Sequence, residues 1–236
     1  RPVIKTICQV MKPKIGMVIH DPACGTGGFL ISAYEYILEK LKGKLDSDDE
    51  DKLKYSTFTG QELVLDTRRL CIMNLYLHGV HDGVEYGDSL SEIKESIWDM
   101  VLTNPPFGVK SGGEIPNRPD FNIETANKQL NFVQHVMSGL KPGGKAAMVL
   151  PDGVLTEGNA GKDLRKEWLK GYNVHTILRL PVGVFTYVPG VKANVVFFDK
   201  GKKTDEVWIY DLRTNIDKIN KGKPLTEEPF KEFIAL

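Results

Sequence analysis

The chain has 236 residues, 41% of them hydrophobic and 26% charged, which fits one large α/β domain or one domain with an appendage. Its 31 basic and 31 acidic residues balance, whereas a protein that grips DNA alone is expected to carry a basic excess. No apolar run approaches the roughly 18 residues of a membrane span, and the three cysteines show neither metal-ligand spacing nor a disulfide framework. We therefore expect a cytoplasmic small-molecule enzyme, or an enzyme whose partner subunit holds the nucleic acid.

The first part of the chain predicts a strand, a glycine-rich loop and a helix. After an opening helix over residues 3–11, a buried strand at 17–20 runs into DPACGTGG, and a helix follows over 29–41. Glycines let a backbone turn sharply and approach a ligand closely. The loop has neither the GxGxxG pattern nor the GK[ST] ending of a P-loop, and its acidic first residue tolerates a sulfonium or an amino group better than a pyrophosphate. A purely structural turn is the alternative.

The next two predicted strands also end in acidic residues. The charged run at 43–54 is interpreted as a solvated loop; a strand at 56–59 then leads to Glu62, and the following strand leads to Asp88. With Asp21, these place three carboxylates on the sheet edge where doubly wound folds bind ligands. An acid at the second position commonly binds ribose hydroxyls, and an ordinary loop acid is the alternative for Glu62. Acid–base or metal chemistry would need a His or carboxylate cluster, which the sequence lacks.

A fourth apolar strand, residues 98–103, ends in the tetrapeptide Asn104-Pro105-Pro106-Phe107. Two prolines make a stiff corner, which would hold one amide and one aromatic ring over the crevice at the strand end. An amide carbonyl accepts hydrogen bonds and a phenyl ring offers a stacking face, so the pair suits a planar substrate with an NH2 group. A proline-marked turn without a binding role is the alternative.

The second half of the chain continues the alternation of helices and strands. The long loop at 108–124 predicts a lid or substrate-contacting segment. A helix is predicted over 130–140, ended by the segment KPGG at 141–144, and another over 162–169. Strands are predicted over 146–151, 174–180, 193–198 and 206–212. The loop between the strands at 174–180 and 193–198 carries Phe185, and the polar tail is interpreted as irregular with a short terminal helix.

The motifs DPACGTGGFL and NPPFG, in that order, resemble those of the amino-methylating DNA methyltransferases. The resemblance is closer still to the methyltransferase subunit of type I restriction-modification systems. It extends from residue 1 to about residue 200 through Gln61-Glu62, Met73-Asn74-Leu75, Gln129-Leu130, the segment LPDGVL at 150–155, residues 162–165, and residues 180–185 and 194–198.

The resemblance implies a Rossmann-like class I methyltransferase fold of the α/β class. It implies a mostly parallel seven-stranded sheet with a C-terminal antiparallel hairpin. Residues 1–200 would form the catalytic domain, and residues 201–236 a C-terminal extension with an extra strand and a tail. The helical N-terminal region and the C-terminal helices that the family carries have no counterpart in this chain.

The resemblance also implies the site. The cofactor would be S-adenosylmethionine, with no metal. Its methionine portion would lie along Asp21, Pro22, Ala23, Cys24, Gly25, Thr26 and Gly27. Glu62 would bind the ribose hydroxyls, and Asp88 with Ser89 the adenine amino group. Asn104 and the carbonyl of Pro105 would hold the target amine, Pro106 would complete the corner, and Phe107 would stack on the base with Phe185 on its other face.

The function implied is transfer of a methyl group to N6 of an adenine that has been flipped out of double-stranded DNA, since Asn rather than Ser precedes the two prolines. The partners implied are a specificity subunit, a second copy of the methyltransferase subunit and, optionally, a nuclease subunit. Two alternatives are a protein-glutamine N5 methyltransferase, which usually has Tyr at the position of Phe107, and a subunit that binds cofactor without catalysis.

Overall fold

The computed structural model describes residues 1–42, 44–81, 83–108, 113–185, 190–214, 216, 219 and 222–236. The strands are β1 (Ile19–Asp21), β2 (Phe58–Glu62), β3 (Val84–Tyr86), β4 (Trp98–Thr103), β5 (Leu140–Pro151), β6 (Tyr172–Arg179), β7 (Ala193–Lys200) and β8 (Trp208–Asp211). The helices are α1 (Pro2–Met11), α2 (Gly28–Leu41), α3 (Ser47–Tyr55), α4 (Leu65–Leu77), α5 (Lys128–Gly139), α6 (Asp152–Thr156), α7 (Asn159–Gly171) and α8 (Lys231–Ala235).

The strands form one sheet in the order β3-β2-β1-β4-β5-β7-β6-β8. β7 is antiparallel to both of its neighbours, and the other adjacent pairs are parallel. From β1 the chain moves outward to β2 and β3 and then returns to the other side through β4. The order therefore reverses between β1 and β4, and a crevice opens there at the carboxyl ends of the strands.

The predicted fold class is confirmed, with one addition. The sheet is mostly parallel and contains the predicted antiparallel pair, β6 and β7, but in the part of the chain that the structure describes it has eight strands instead of seven. The eighth is β8, which pairs with β6 and comes from the segment predicted as an extension. Residues 201–236 thus add a strand to the same sheet, and their assignment as a separate extension stays a prediction.

Two apolar clusters cover the two faces of the sheet. In β4, Met100 and Leu102 belong to the cluster that also contains residues of α1 and α2, whereas Val101 belongs to the cluster with residues of α5 and α7. The continuous run Val195-Val196-Phe197-Phe198 in β7 divides in the same alternating way. Successive side chains of a strand point to opposite faces, so a strand buried on both faces has no polar alternation.

Two local predictions were wrong. The charged run at 43–54 contains a helix, α3, whose N-cap Asp46 accepts a hydrogen bond from the backbone of Asp49 at 2.8 Å. Three acids in the first turn and two lysines in the last turn suit the helix dipole. The segment Lys141-Pro142-Gly143-Gly144, predicted as a helix end, lies within β5, where the register with β4 shifts between Trp98 and Met100.

No helix among the described residues combines the length and the apolar character needed to cross a membrane.

Candidate active site

A cavity of about 460 Å³ opens at the carboxyl edge of the sheet, at the place where the strand order reverses. Its walls combine the predicted motifs with residues that no motif indicated: Pro22, Ala23, Glu62, Leu63, Val64, Gly87, Asp88, Ser89, Leu90, Asn104, Pro106, Glu114, Lys128 and Phe132. The start of the glycine-rich loop, the acidic strand ends at Glu62 and Asp88 and the amide of Asn104 therefore face one space.

A larger cavity, about 630 Å³, lies at the other end of the sheet. Tyr172 at the start of β6 and Lys200 at the end of β7 contribute to its wall, together with Ser138 and Gly171 near the ends of α5 and α7. None of the motif residues lines it. The chemistry suggested by the sequence thus belongs to the smaller cavity.

The glycine-rich loop turns sharply after β1. Gly25 and Gly27 have φ angles of 55° and 86°, in the left-handed region that glycine tolerates best. A Cβ at Gly27 would lie 3.0 Å from the Sγ atom of Cys71 on α4, so both the backbone angle and the space require glycine. Around Gly25 nothing lies within 4 Å of such a Cβ, which leaves the backbone open to a ligand.

Cys24 and Cys71 form a buried contact behind this loop, with their sulfur atoms 3.8 Å apart. The hydrogen bond between the thiols and burial both raise the pKa of Cys24, so its thiolate is disfavoured. Its side chain therefore serves packing rather than nucleophilic chemistry.

Glu62, the last residue of β2, holds the loop to the second strand. Its two carboxylate oxygens accept hydrogen bonds from the backbone N–H groups of Gly25 and Val64, each at 2.9 Å. The backbone N–H of Cys24 also donates to the carbonyl of Gln61 at 3.1 Å. A carboxylate fixed from two sides is positioned to accept hydrogen bonds from the hydroxyls of a ligand in the cavity.

The segment after β3 supplies the next part of the wall. Asp88 accepts a hydrogen bond from the backbone N–H of Leu90 at 3.0 Å and lines the cavity. The hydroxyl of Ser89 donates to the carbonyl of Pro22 at 2.6 Å and contacts the side-chain oxygen of Gln61 at 3.0 Å. Ser89 is buried, and these contacts join the third strand end to the first two.

Asp21 lies beneath the loop and does not line the cavity. It is 1% exposed, and its Oδ1 atom accepts hydrogen bonds from the hydroxyl of Thr103 at 2.6 Å and from the backbone N–H of Ala23 at 3.0 Å. Burial raises the pKa of Asp21 to about 7, against the lowering effect of these two bonds. Because Thr103 directly precedes Asn104, this carboxyl group ties the glycine-rich loop to the tetrapeptide.

The tetrapeptide follows β4 without regular secondary structure. Asn104 and Pro106 are exposed and line the cavity, whereas Pro105 is buried. The half-buried ring of Phe107 contacts the ring of Phe185 edge to face, with centroids 5.8 Å apart and an interplanar angle of 81°. The structure therefore brings these two predicted aromatic residues together.

Sequence reasoning missed the apolar walls. Leu63 and Val64 are 59% and 54% exposed although they directly follow β2, while Leu90 and Phe132 are nearly buried. Two large apolar side chains left in solvent beside an acidic strand end suit a flat ligand that covers them. The adjacent apolar residues Leu63 and Val64 could have been identified from the sequence, because they directly follow the acidic end of a predicted strand. Phe132 lies on α5, far along the chain, and no local sequence pattern marks it as part of the cavity wall.

Among the residues that the structure describes, no three His, Cys, Asp or Glu side chains lie close enough together to hold a metal ion.

Comparison with known proteins agrees with this geometry. The family model for N-6 DNA methylases matches residues 1–236. The methylase subunit of the type I restriction enzyme EcoKI from Escherichia coli K12 is 43% identical over 252 aligned positions, which cover 99% of this chain and 47% of that protein. The crystal structure of the EcoKI M protein superposes with a TM-score of 0.91 at 42% identity, covering 99% of this chain and 52% of that one.

A putative class I S-adenosylmethionine-dependent methyltransferase from Listeria monocytogenes shares the fold, with a TM-score of 0.68 at 20% identity over 91% of this chain and 64% of that one. The chain spans about half the length of the curated relative that it matches. The family match covers every part of the cavity and of the sheet that builds it, and the chain therefore belongs to the N-6 DNA methylase family.

Proposed function

We propose that this chain is the catalytic part of an adenine-N6 DNA methyltransferase, the modification subunit of a type I restriction-modification complex. The observation that carries the proposal is the cavity that Glu62, Asp88 and Asn104 share at the carboxyl edge of the sheet. It unites a site for a nucleoside-bearing cofactor with an amide acceptor for a substrate amine. The family match and the relative's name as a type I methylase subunit support the same assignment.

The residues present fit S-adenosylmethionine, which supplies the methyl group when bound. A cavity of about 460 Å³ is in the size range of cofactor sites. Glu62 would accept hydrogen bonds from the ribose hydroxyls and Asp88 from the adenine amino group, with Ser89 beside it. The loop from Pro22 to Gly27, with Cys24 and Thr26 in its backbone turn, would follow the methionine portion. Asp21 would sit below that portion and, when ionised, would attract its positive charge.

The target amine would be held by the tetrapeptide. Adenine inside a duplex cannot reach a buried cofactor, so the base must leave the stack and enter the cavity. The side-chain carbonyl of Asn104 and the carbonyl of Pro105 would each accept one N–H of the amine, which aims the nitrogen lone pair at the methyl group. Alignment and these hydrogen bonds supply the catalysis, as positioning and preorganised acceptors do in other enzymes.

Phe107 would stack on the flipped base, and Phe185 is the candidate for its second face. Because the two rings stand at 81° to each other, one planar base can lie face to face with only one of them in the present arrangement. Stacking from both sides therefore requires one ring to turn.

The proposal includes partners. The balanced charge of the chain supplies no basic surface excess for holding double-stranded DNA, so a specificity subunit would hold and read the duplex. A second methyltransferase subunit and, optionally, a nuclease subunit complete the proposed complex, which we place in the cytoplasm with the DNA it modifies.

The test is Asn104→Ala in the full-length protein with its partner subunits. We expect methyl transfer to DNA to fall at least ~100-fold, since an amide acceptor of the reacting group is lost. The affinity for S-adenosylmethionine, measured by calorimetry, should stay within about twofold, because Glu62 and Asp88 are untouched. Asn173→Ala is the control, since Asn173 lies at the start of β6, at the end of the sheet opposite the active-site cavity.

Persistent DNA methylation by Asn104→Ala would refute the assigned role. Offering DNA and a glutamine-containing peptide side by side with labelled cofactor separates the two enzyme classes: label on the peptide alone would establish the glutamine alternative. Cofactor binding without transfer to either substrate would identify a silent subunit.

A further inference from the structure

The loop between β6 and β7 carries Phe185, whose ring contacts that of Phe107, the residue after the cavity-lining Pro106. It leaves the sheet after Arg179, the last residue of β6, and returns at Ala193, the first residue of β7. The backbone N–H of Leu180 donates to the carbonyl of Ala193 at 2.9 Å and closes the base of the loop. The position of Phe185 against Phe107 therefore depends on how these two stems are held.

The guanidinium of Arg213 contacts both stems. Its Nε atom donates to the carbonyl of Leu180 at 3.0 Å, and Nη2 donates to the carbonyl of Ala193 at 2.9 Å. Nη2 also lies 3.2 Å from the side-chain oxygen of Asn194. One planar cation thus bridges the end of β6 and the start of β7.

The same guanidinium is fixed to the start of α6, directly after β5. Nη1 and Nη2 donate to the two oxygens of Asp152 at 2.9 and 2.6 Å, a bidentate pair in which the Arg213 side chain is only 10% exposed. Asp152 is held in turn by the side-chain amide of Asn194 at 2.8 Å and, through its backbone N–H, by the carbonyl of Lys192 at 3.0 Å. Arg213 and Asn194 hold the pKa of Asp152 below its usual range, so the carboxylate stays charged.

A second contact comes from the same C-terminal segment. Gly183, inside the loop, has a φ angle of 97°, and a Cβ there would lie 2.3 Å from the carbonyl oxygen of Ile219. Ile219 is itself buried. Arg213 and Ile219, both beyond residue 200, therefore contact the loop at its two stems and at Gly183.

We propose that Arg213 is a positioning residue for the target base: by joining Leu180, Ala193 and Asp152, it holds the loop that presents Phe185 beside Phe107. The inference rests on the proposed function and extends it to a segment that the motifs do not reach. Arg213 and the contacts it makes lie outside the set of residues that lines the cofactor cavity. Its loss should therefore affect handling of the base and leave the cofactor site intact.

The test compares Arg213→Lys, Arg213→Ala and Asp152→Asn in the full-length protein with its partner subunits. Lys203→Ala is the matched control, because its exposed ion pair with Asp205 lies in the same segment and touches neither stem. Hydrogen exchange of peptides covering residues 180–192 reads the loop directly. Methylation kinetics measure the effect of each substitution on methyl transfer. The fluorescence of DNA with 2-aminopurine at the target position measures its effect on base flipping.

We expect Arg213→Ala to increase exchange in the loop and to lower kcat by about tenfold or more, since small misplacements of positioning groups are costly. The 2-aminopurine signal should fall, while the dissociation constant for S-adenosylmethionine stays within about twofold. Arg213→Lys should be intermediate, because an ammonium group cannot reproduce the planar fork.

Unchanged exchange of the loop in Arg213→Ala would overturn the proposal, as would equal losses of cofactor affinity and base flipping. If Arg213→Ala does not fold, Arg213→Lys and Asp152→Asn decide the question by the same readouts. If the wild-type complex transfers no methyl group to DNA, the proposed function fails, yet the exchange experiment still decides whether Arg213 holds the loop.

Discussion

Replacing Asp21 with asparagine should make the protein more stable at neutral and alkaline pH. Asp21 is buried, and both of its short hydrogen bonds, from Thr103 and from the backbone of Ala23, reach the same oxygen, Oδ1. An asparagine can keep that oxygen in place and put its NH2 group where Oδ2 stood. The substitution therefore removes a buried ionisable group and preserves its two contacts.

The size of the effect follows from the pKa of Asp21. Burial raises it from 3.8 to about 7, so between these pH values the folded protein keeps a proton that the unfolded chain has lost. The contribution of this group to the free energy of unfolding is complete below pH 4 and declines as the pH rises to 7. Three pH units correspond to about 4 kcal/mol, at about 1.4 kcal/mol per unit. Because asparagine does not ionise, the free energy of unfolding of Asp21→Asn does not decline in this way as the pH rises.

Urea unfolding at pH 5 and pH 8 measures the difference between wild type and variant. We expect the advantage of Asp21→Asn to grow by about 3 kcal/mol between these two pH values, because most of the titration window lies between them. Asp163→Asn on α7 is the control, since its exposed carboxylate forms a surface ion pair with Lys166 worth about 0–1 kcal/mol. An advantage of Asp21→Asn that is the same at both pH values would refute the assignment of a buried, proton-retaining carboxyl group.

Three further results are expected. The affinity of wild type for S-adenosylmethionine should rise as the pH passes 7, because only ionised Asp21 attracts a cation; calorimetry should show no such rise in Asp21→Asn. Glu62→Gln should weaken cofactor binding by about tenfold, since one of the two backbone N–H groups now bonded to the carboxylate would face an NH2 group. An unchanged affinity would show that Glu62 does not bind the cofactor. Gly27→Ala should lower the free energy of unfolding by about 1–3 kcal/mol, because its φ of 86° and the 3.0 Å approach to Cys71 both resist a methyl group; thermal unfolding that matches wild type would contradict this.

The two wrong predictions from the sequence concern single segments, α3 and the start of β5. The signals of α3 were present in the charged run: Asp46 as N-cap, acids in the first turn, and Lys52 and Lys54 four residues after Asp48 and Glu50. The run lacks an apolar face, so the hydrophobic periodicity that indicates most helices is missing there. By contrast, nothing local distinguishes Lys141-Pro142-Gly143-Gly144 as part of β5. The segment joins Leu140, which pairs with Trp98, to Lys145, which pairs with both β4 and β7, so its place in the strand depends on residues on either side of it.

The sequence alone predicted which strand ends would share one edge of the sheet. Parallel strands present their carboxyl ends at one edge, so the sequence predicts that Asp21, Glu62, Asp88 and Asn104 share one crevice from their places after apolar runs. Glu62, Asp88 and Asn104 line the cavity there, whereas Asp21 is buried beneath the glycine-rich loop. Only the tertiary structure showed what holds that crevice together. Thr103 bonds to Asp21 across 82 positions of sequence, and Arg213 bonds to Asp152 across 61. Such contacts depend on distances that arise when the whole sheet assembles, and no periodicity or short motif encodes them.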